Sequence, residues 1–311
     1  MQLSPSTQFY TWQNYRCAYT VHQHSNSQPD SIPLLLVQPI GVGLSGKFWQ
    51  RFCDEWLNTG NKNIIYNPDL LGCGESDKPR VVYTSRDWAN QLRYFLQNVI
   101  QKPVILVVQG ASLPIGLELV QQELNLIAGL VLSVPPSWPL ISKKIPAWRQ
   151  KLLWNIFDSP VGSAFYRYAR TPKFLSSFST RQLFASADAV DQEWLNTLVA
   201  GAVNPDSRHA VFSFLAGFWR EDYRSVMAAI QQPTLVVMGE AASSISKEGE
   251  TETPDDRLAE YLACLPQSTG VKIPGRNVLP YESTTEFVQA IASPISKAIA
   301  EGLSFAYRTL Y

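Results

Sequence analysis

Val104–Val108 is a continuous apolar run that leads into Gln109-Gly110-Ala111-Ser112-Leu113-Pro114-Ile115-Gly116, and helical spacing follows at once. A buried strand passing through Gly-x-Ser into a helix is the setting of a nucleophile elbow, whose turn lifts a serine hydroxyl above the sheet. Small flanking residues keep the turn free of clashes, and the helix N-terminus supplies positive potential and free N–H groups. Ser112 is therefore the candidate nucleophile, and acyl transfer from an ester-type substrate is the chemistry it would serve. A serine hydroxyl is a poor nucleophile until a base takes its proton, usually a His oriented by a carboxylate. The chain holds three histidines, His22, His24 and His209, and none beyond residue 209.

Substitute groups are few. His209, in Asn204-Pro205-Asp206-Ser207-Arg208-His209, is either a base reaching Ser112 from an overhanging segment or a surface or partly buried side chain. His22 and His24 stand two apart on an early strand and share a face, but no Cys, Asp or Glu cluster accompanies them, so no metal is expected. Cys73 is a thiol with no partner in the sequence that would lower its pKa. Lys47 lies near the loop after the first buried strand, where a Ser-Lys pairing would need it.

These residues must be positioned by a framework. Continuous apolar runs at Ile32–Val37, Ile64–Tyr66, Val104–Val108, Ile127–Leu132 and Thr234–Met238 read as strands buried on both faces. Helical patterns at Phe48–Leu57, Ser85–Val99 and Leu113–Leu124 alternate with them, which implies a mostly parallel α/β sheet. Phe9–Trp12 and Cys17–His24 open the chain as β-like runs, with Ser25–Asp30 reading as a hairpin loop. From Ser137 to about Arg224 no apolar strand occurs. Helices are expected there instead, including Pro160–Ala169 behind a Ser159 cap and Val190–Val199. The expected organisation is a core over 1–136 and 226–311, with a helical cap inserted over 137–225.

Composition narrows the function classes. The chain has 311 residues, of which 45% are hydrophobic and 17% charged, so neither disorder nor coiled coil describes it. Lys+Arg and Asp+Glu each number 26, and this balance gives no argument for nucleic acid. Four scattered Cys make neither a disulfide framework nor a zinc cluster, and no apolar run reaches the roughly 20 residues of a membrane span. With no signal-peptide pattern at its start, the chain is expected to be cytoplasmic.

Charge is uneven inside the neutral total. Residues 137–181 hold eight basic side chains against one acid, Asp158, with aromatics interleaved. That is either a solvated helix face or a surface for peripheral contact with anionic membrane. Residues 239–260 carry seven acids and two bases and are expected to form a flexible solvated loop.

Four segments resemble the α/β-hydrolase superfamily in order along nearly the whole chain, and in particular its cap-bearing branch of haloalkane dehalogenases, epoxide hydrolases and esterases. They are the strand–Gly110-Ala111-Ser112–helix, Asp69-Leu70-Leu71-Gly72-Cys73-Gly74-Glu75-Ser76-Asp77-Lys78-Pro79, Pro233-Thr234-Leu235-Val236-Val237-Met238-Gly239-Glu240, and Pro274-Gly275 with Leu279-Pro280-Tyr281-Glu282. The resemblance implies an α/β-hydrolase fold, an oxyanion hole on the Ile40 and Leu113 N–H groups, and a small apolar or ester-like ligand without a cofactor. It also places the triad acid at Ala242 and the triad His at Val278, where neither is present. Glu240 matches a position that is not the catalytic acid. Pro39 and Pro114 replace glycines of the pattern. Loss of the His of a serine triad costs about 10⁶ in kcat. Two readings stay open: an atypical serine hydrolase, or a non-catalytic relative that binds an apolar ligand or a partner.

Overall fold

The computed structural model describes residues 5–24 and 31–293. Its centre is an eight-stranded sheet in the order β1-β2-β4-β3-β5-β6-β7-β8. β1 (Gln8–Trp12) and β2 (Tyr15–His22) form an antiparallel hairpin, and β2 joins β4 antiparallel. From there the sheet is parallel through β3 (Leu34–Val37), β4 (Ile65–Pro68), β5 (Val104–Gln109), β6 (Ile127–Ser133), β7 (Thr234–Gly239) and β8 (Ser268–Ile273). β3, β5 and β7 are buried along their whole length, as helices on both faces require. The expected strands are all present with ends shifted by a few residues. The expected hairpin loop Ser25–Asp30 lies outside the described residues. β8 was not anticipated: Ser-Thr-Gly-Val-Lys-Ile has almost no apolar run, because an edge strand buries little.

Three helices flank the core: α1 (Gln50–Asn58), α2 (Ser85–Phe95) and α3 (Leu113–Gln122). Thr84 and Asp87 start α2 with a reciprocal capping box, and α2 then widens into a π turn over Leu96–Ile100. Between β6 and β7 the described residues carry helices only: α4 (Trp138–Ile141), α5 (Ala147–Phe157), α6 (Pro160–Ala169), α7 (Pro172–Phe178), α8 (Gln192–Gly201), α9 (Arg208–Leu215) and α10 (Arg224–Ala228). Ser159 caps α6 and Pro160 opens it, as the sequence predicts. α11 (Pro254–Cys264) and α12 (Leu279–Glu282) follow β7 and β8, and residues 284–293 are helical as well.

The acidic stretch is not the flexible loop expected from its charge. It contains a 3-10 turn at Lys247–Gly249 and the first turns of α11, capped by Thr253 and Asp256. Its Glu252 pairs with Arg257, which is only 2% exposed, and accepts the Trp138 N–H. The acids gather there because a helix N-terminus and a buried guanidinium both favour negative charge.

Two of the contacts that pin the inserted helices to the core involve α8. Trp194 of α8 stacks edge-on against Tyr281 at 4.7 Å and Phe184 at 5.1 Å, while Arg51 lies 3.9 Å over the Tyr281 ring. Beside this, Gly201 of α8 meets the loop after β3 backbone to backbone. A Cβ on Gly201 would lie 2.2 Å from the Gly43 carbonyl oxygen. Ala is the better helix former by about 1 kcal/mol, so Gly201→Ala would stabilise a free helix. Because neither backbone can retreat, we expect it to lower unfolding stability in urea by about 1–3 kcal/mol. A gain in stability would show that this contact does not hold the cap.

Candidate functional site

The site lies at the C-terminal ends of the parallel strands, where five loops converge beneath the inserted helices. The decisive turn joins β5 to α3. Its left-handed residue is Gly110, with φ +57°. Gln109 is the last strand residue, and a single 3-10 turn over Gly110–Ser112 runs directly into α3. In an elbow, the residue at this sharp position presents its side chain above the sheet. Gly110 has none. The space for one is open, since a Cβ there would find nothing nearer than the Val134 carbonyl oxygen at 4.0 Å.

Ser112, expected to be lifted over the sheet, stands two residues later with right-handed backbone, φ −81° and ψ 0°. It is 1% exposed, and its hydroxyl donates to the Gln38 carbonyl at 2.7 Å. The hydroxyl therefore ties the start of α3 to the end of β3. The Leu113 N–H, expected in an oxyanion hole, donates to the Gly110 carbonyl and closes the 3-10 turn. Pro114 sits in the first turn of α3, where a missing N–H costs nothing. Ile40 is buried on the loop after β3 and lines the cavity described below.

The remaining positions are also apolar or structural. Ala242 is buried, its N–H closing a turn onto the Gly239 carbonyl. Val278 is 4% exposed and lines the cavity. Its neighbour Asn277 carries the polar contacts of this corner. The Asn277 side chain accepts the Ser243 N–H at 3.2 Å and donates to the Gln182 carbonyl at 2.7 Å. Its backbone N–H donates to Leu183, and its carbonyl accepts from the Gln109 side chain at 2.7 Å. One asparagine thus joins the ends of β5, β7 and β8 to the inserted segment at Gln182 and Leu183. Arg276 adds a second clamp, donating to the Ser243 hydroxyl and to the Arg181 carbonyl. The sequence offered no sign of either role, because both depend on which loops the topology brings together.

Above Gly110 is a cavity of about 270 Å³, closed by Phe165, Leu175, Leu198 and Val211 from the inserted helices and floored by Val278. Its few polar members are Gln109, Ser179 and Asn277, and the Ser179 hydroxyl is taken by the Trp194 indole N–H. A second compartment of about 370 Å³ adjoins it and shares Gly110, Phe214, Leu215, Ile245 and Asn277. That compartment is more polar, with Ser243, Ser244, Arg220 and Arg257 in its wall. The Arg guanidiniums are paired there with Glu248 and Glu252. Val134, beside Gly110, holds φ +43°, which is strained for a β-branched residue.

The substitute groups lie elsewhere. His209 is buried in the cap, 3.8 Å from Asp158 and near Trp154, and burial lowers its pKa. Cys73 is buried, and burial followed by the Asp69 charge pushes its thiol up to about 12, so no thiolate forms near neutral pH. Lys47 lines a separate pocket with Asn67 and Asp69. Asp255 pairs with Lys272, and Asp256 caps α11. The Asp69–Pro79 motif is scaffold. The Asp69 carboxylate accepts the Gly46 and Glu75 N–H groups, and Ser76 bridges the Asp69 carbonyl and the Ala18 N–H. Among the described residues no group of His, Cys, Asp and Glu could hold a metal ion, and no helix is long and apolar enough to cross a membrane.

Comparison with known proteins agrees with this architecture. A thermophilic esterase from Thermogutta terrifontis superposes with a TM-score of 0.70 at 17% identity, over 95% of this chain and 99% of its own. A serine hydrolase involved in carbazole degradation gives 0.71 at 18% identity, over 94% and 99%. At such identities the likeness is one of fold. An uncharacterized protein of Mycobacterium tuberculosis is 30% identical over 177 residues, 55% of this chain and 45% of that protein. The chain thus spans about half the length of the curated relatives it matches. Residues 34–290, which run from β3 past α12 and hold every loop of the site, match the profile of the Alpha/beta hydrolase family. On that match, with the eight-stranded sheet and the helices inserted after β6, the chain belongs to the alpha/beta hydrolase family, in its cap-bearing branch.

Proposed function

We propose that this chain is a non-catalytic member of its family that holds a small apolar ligand under the cap. The observation that carries the reading is the residue at the strained turn: Gly110 stands where a nucleophile's side chain would project. Ala242 and Val278 remove the acid and the base at the other two positions, and nothing titratable replaces them in the cavity wall. An elbow, its acid and its base act as one unit, so their joint loss removes far more than any single loss. What remains is a largely apolar, covered cavity, the usual form of a small-molecule site. At about 30 Å³ for each water-sized unit, it takes roughly ten heavy atoms.

The competing reading makes Ser112 a nucleophile, and the two predict opposite results. A fluorophosphonate probe is expected to leave the protein unlabelled, and hydrolysis of short aryl esters should be the same for the wild type and Ser112→Ala. That variant should lose about 1 kcal/mol of stability with its buried hydrogen bond. Labelling that disappears in Ser112→Ala would overturn the reading.

A gain-of-function variant tests the position of the turn directly. Gly110→Ser combined with Ala242→Asp and Val278→His should become reactive to the same probe, and should remain so when Ser112→Ala is added. Left-handed strain at residue 110 is expected to cost about 1–2 kcal/mol. If the folded combination stays inert, Gly110 does not mark the nucleophile position.

Ligand binding is tested with 1-decanol by thermal shift. Binding at 100-fold over Kd stabilises by about 2.7 kcal/mol. Leu183→Trp, which fills the half-buried rim of the cavity, should abolish the shift while leaving the unliganded Tm close to wild type. An unchanged decanol response would place the ligand elsewhere.

A further inference from the structure

α5 is apolar on both sides. Gln150, Leu153, Trp154 and Phe157 face inward, whereas Trp148, Leu152 and Ile156, spaced four apart, form a stripe on the outer face. Trp148 is 69% exposed. The adjacent α6 repeats the arrangement with Val161, Phe165 and Tyr168 exposed. Large apolar side chains grouped in this way mark an interaction surface rather than ordinary surface scatter. Lys143, Arg149, Lys151, Arg167 and Lys173 are exposed among them. The one acid of the segment, Asp158, is tied to Arg80, and Lys144 is tied to Glu221.

We propose that this outer face of the cap docks on an anionic lipid bilayer, with the α5 and α6 side chains entering the headgroup region. Charge complementarity selects this occupant. A symmetric pair of copies would bring the same patch against itself and set cation against cation, whereas an anionic surface neutralises the whole cluster. Aromatic and aliphatic side chains flanked by Lys and Arg are the composition of helices that lie in the membrane interface. The face also leads to the cavity, since Phe165 belongs to both and Leu215 and Ile245 are exposed at the shared wall of the two compartments. The docking does not depend on what the cavity holds.

Co-sedimentation of the full chain with vesicles tests it. Binding is expected to vesicles of equimolar phosphatidylglycerol and phosphatidylcholine and not to phosphatidylcholine alone, and to weaken at least tenfold as salt rises from about 0.05 to about 0.5 M. Lys143→Gln with Lys151→Gln should weaken it about 25-fold, since each basic side chain near an anionic surface is worth about fivefold. Trp148→Ala with Leu152→Ser and Ile156→Ser leaves the inward residues of α5 intact. It should keep the wild-type circular dichroism and lose at least tenfold in binding. Brominated lipid should quench the wild type more than Trp148→Phe. Equal binding to neutral and anionic vesicles, or no binding to either, would overturn the proposal, and a dimer that the α5 variant dissociates would assign the face to a second copy instead.

Discussion

β5, buried along its whole length, hands its chain to a helix within a few residues, and the abrupt turn uses a left-handed residue. At the end of β5 that turn falls on Gly110. In an elbow built for catalysis, a side chain is forced into this conformation and the strain is tolerated because chemistry needs the side chain there. A glycine adopts it with no such cost. The rest of the site follows from this relief. The 3-10 turn closes through the Leu113 N–H, and Ser112 falls on the inner side of the helix, where the Gln38 carbonyl accepts its hydrogen bond.

The same logic extends to the neighbouring loops. A catalytic corner keeps polar groups poised for substrate. Here Asn277 uses its side-chain amide and its backbone in four structural hydrogen bonds, and Arg276 uses its guanidinium on Ser243 and the Arg181 carbonyl. Each neutral bond contributes only about 1 kcal/mol, but leaving such a buried group unpaired would cost more. These bonds join strand ends to the inserted segment at Arg181–Leu183, so they help fix the cavity's shape. Residual strain survives at Val134, which is held by its N–H bond to the Val237 carbonyl and followed by two prolines.

Much of this was legible in the residues. Buried parallel strands spell themselves as apolar runs, and Ser159-Pro160 announces a helix start because capping is local. The residues also show Ala242 and Val278 where the family resemblance would place an acid and a His. The register of the elbow was not legible. Gly110-Ala111-Ser112 satisfies Gly-x-Ser in letters, yet whether residue 110 or residue 112 occupies the left-handed position depends on where β5 stops pairing with β6, and that pairing runs through Gln109. β8 escaped notice because an edge strand needs few apolar residues. The order within the acidic stretch escaped notice because its partners, Arg257 and Trp138, are brought together only by the fold.

A cap usually shields a reacting substrate from water, and its inner face alone then carries selection. This cap is apolar on its outside as well. Trp148, Leu152 and Ile156 stay largely in solvent, while α5 buries Gln150 and half-buries Leu153, Trp154 and Phe157 on its other side. Exposed apolar surface of this kind raises the tendency to self-associate, and the surrounding Lys and Arg offset that tendency in water. Against an anionic bilayer the two features stop opposing each other and both favour contact. The rim residues Phe165, Leu215 and Ile245 then give an apolar molecule leaving the bilayer a path into the cavity that avoids full exposure to water. On the proposed reading, in which no reaction takes place, a covered apolar cavity still needs a reason, and this continuity between surface and interior supplies one.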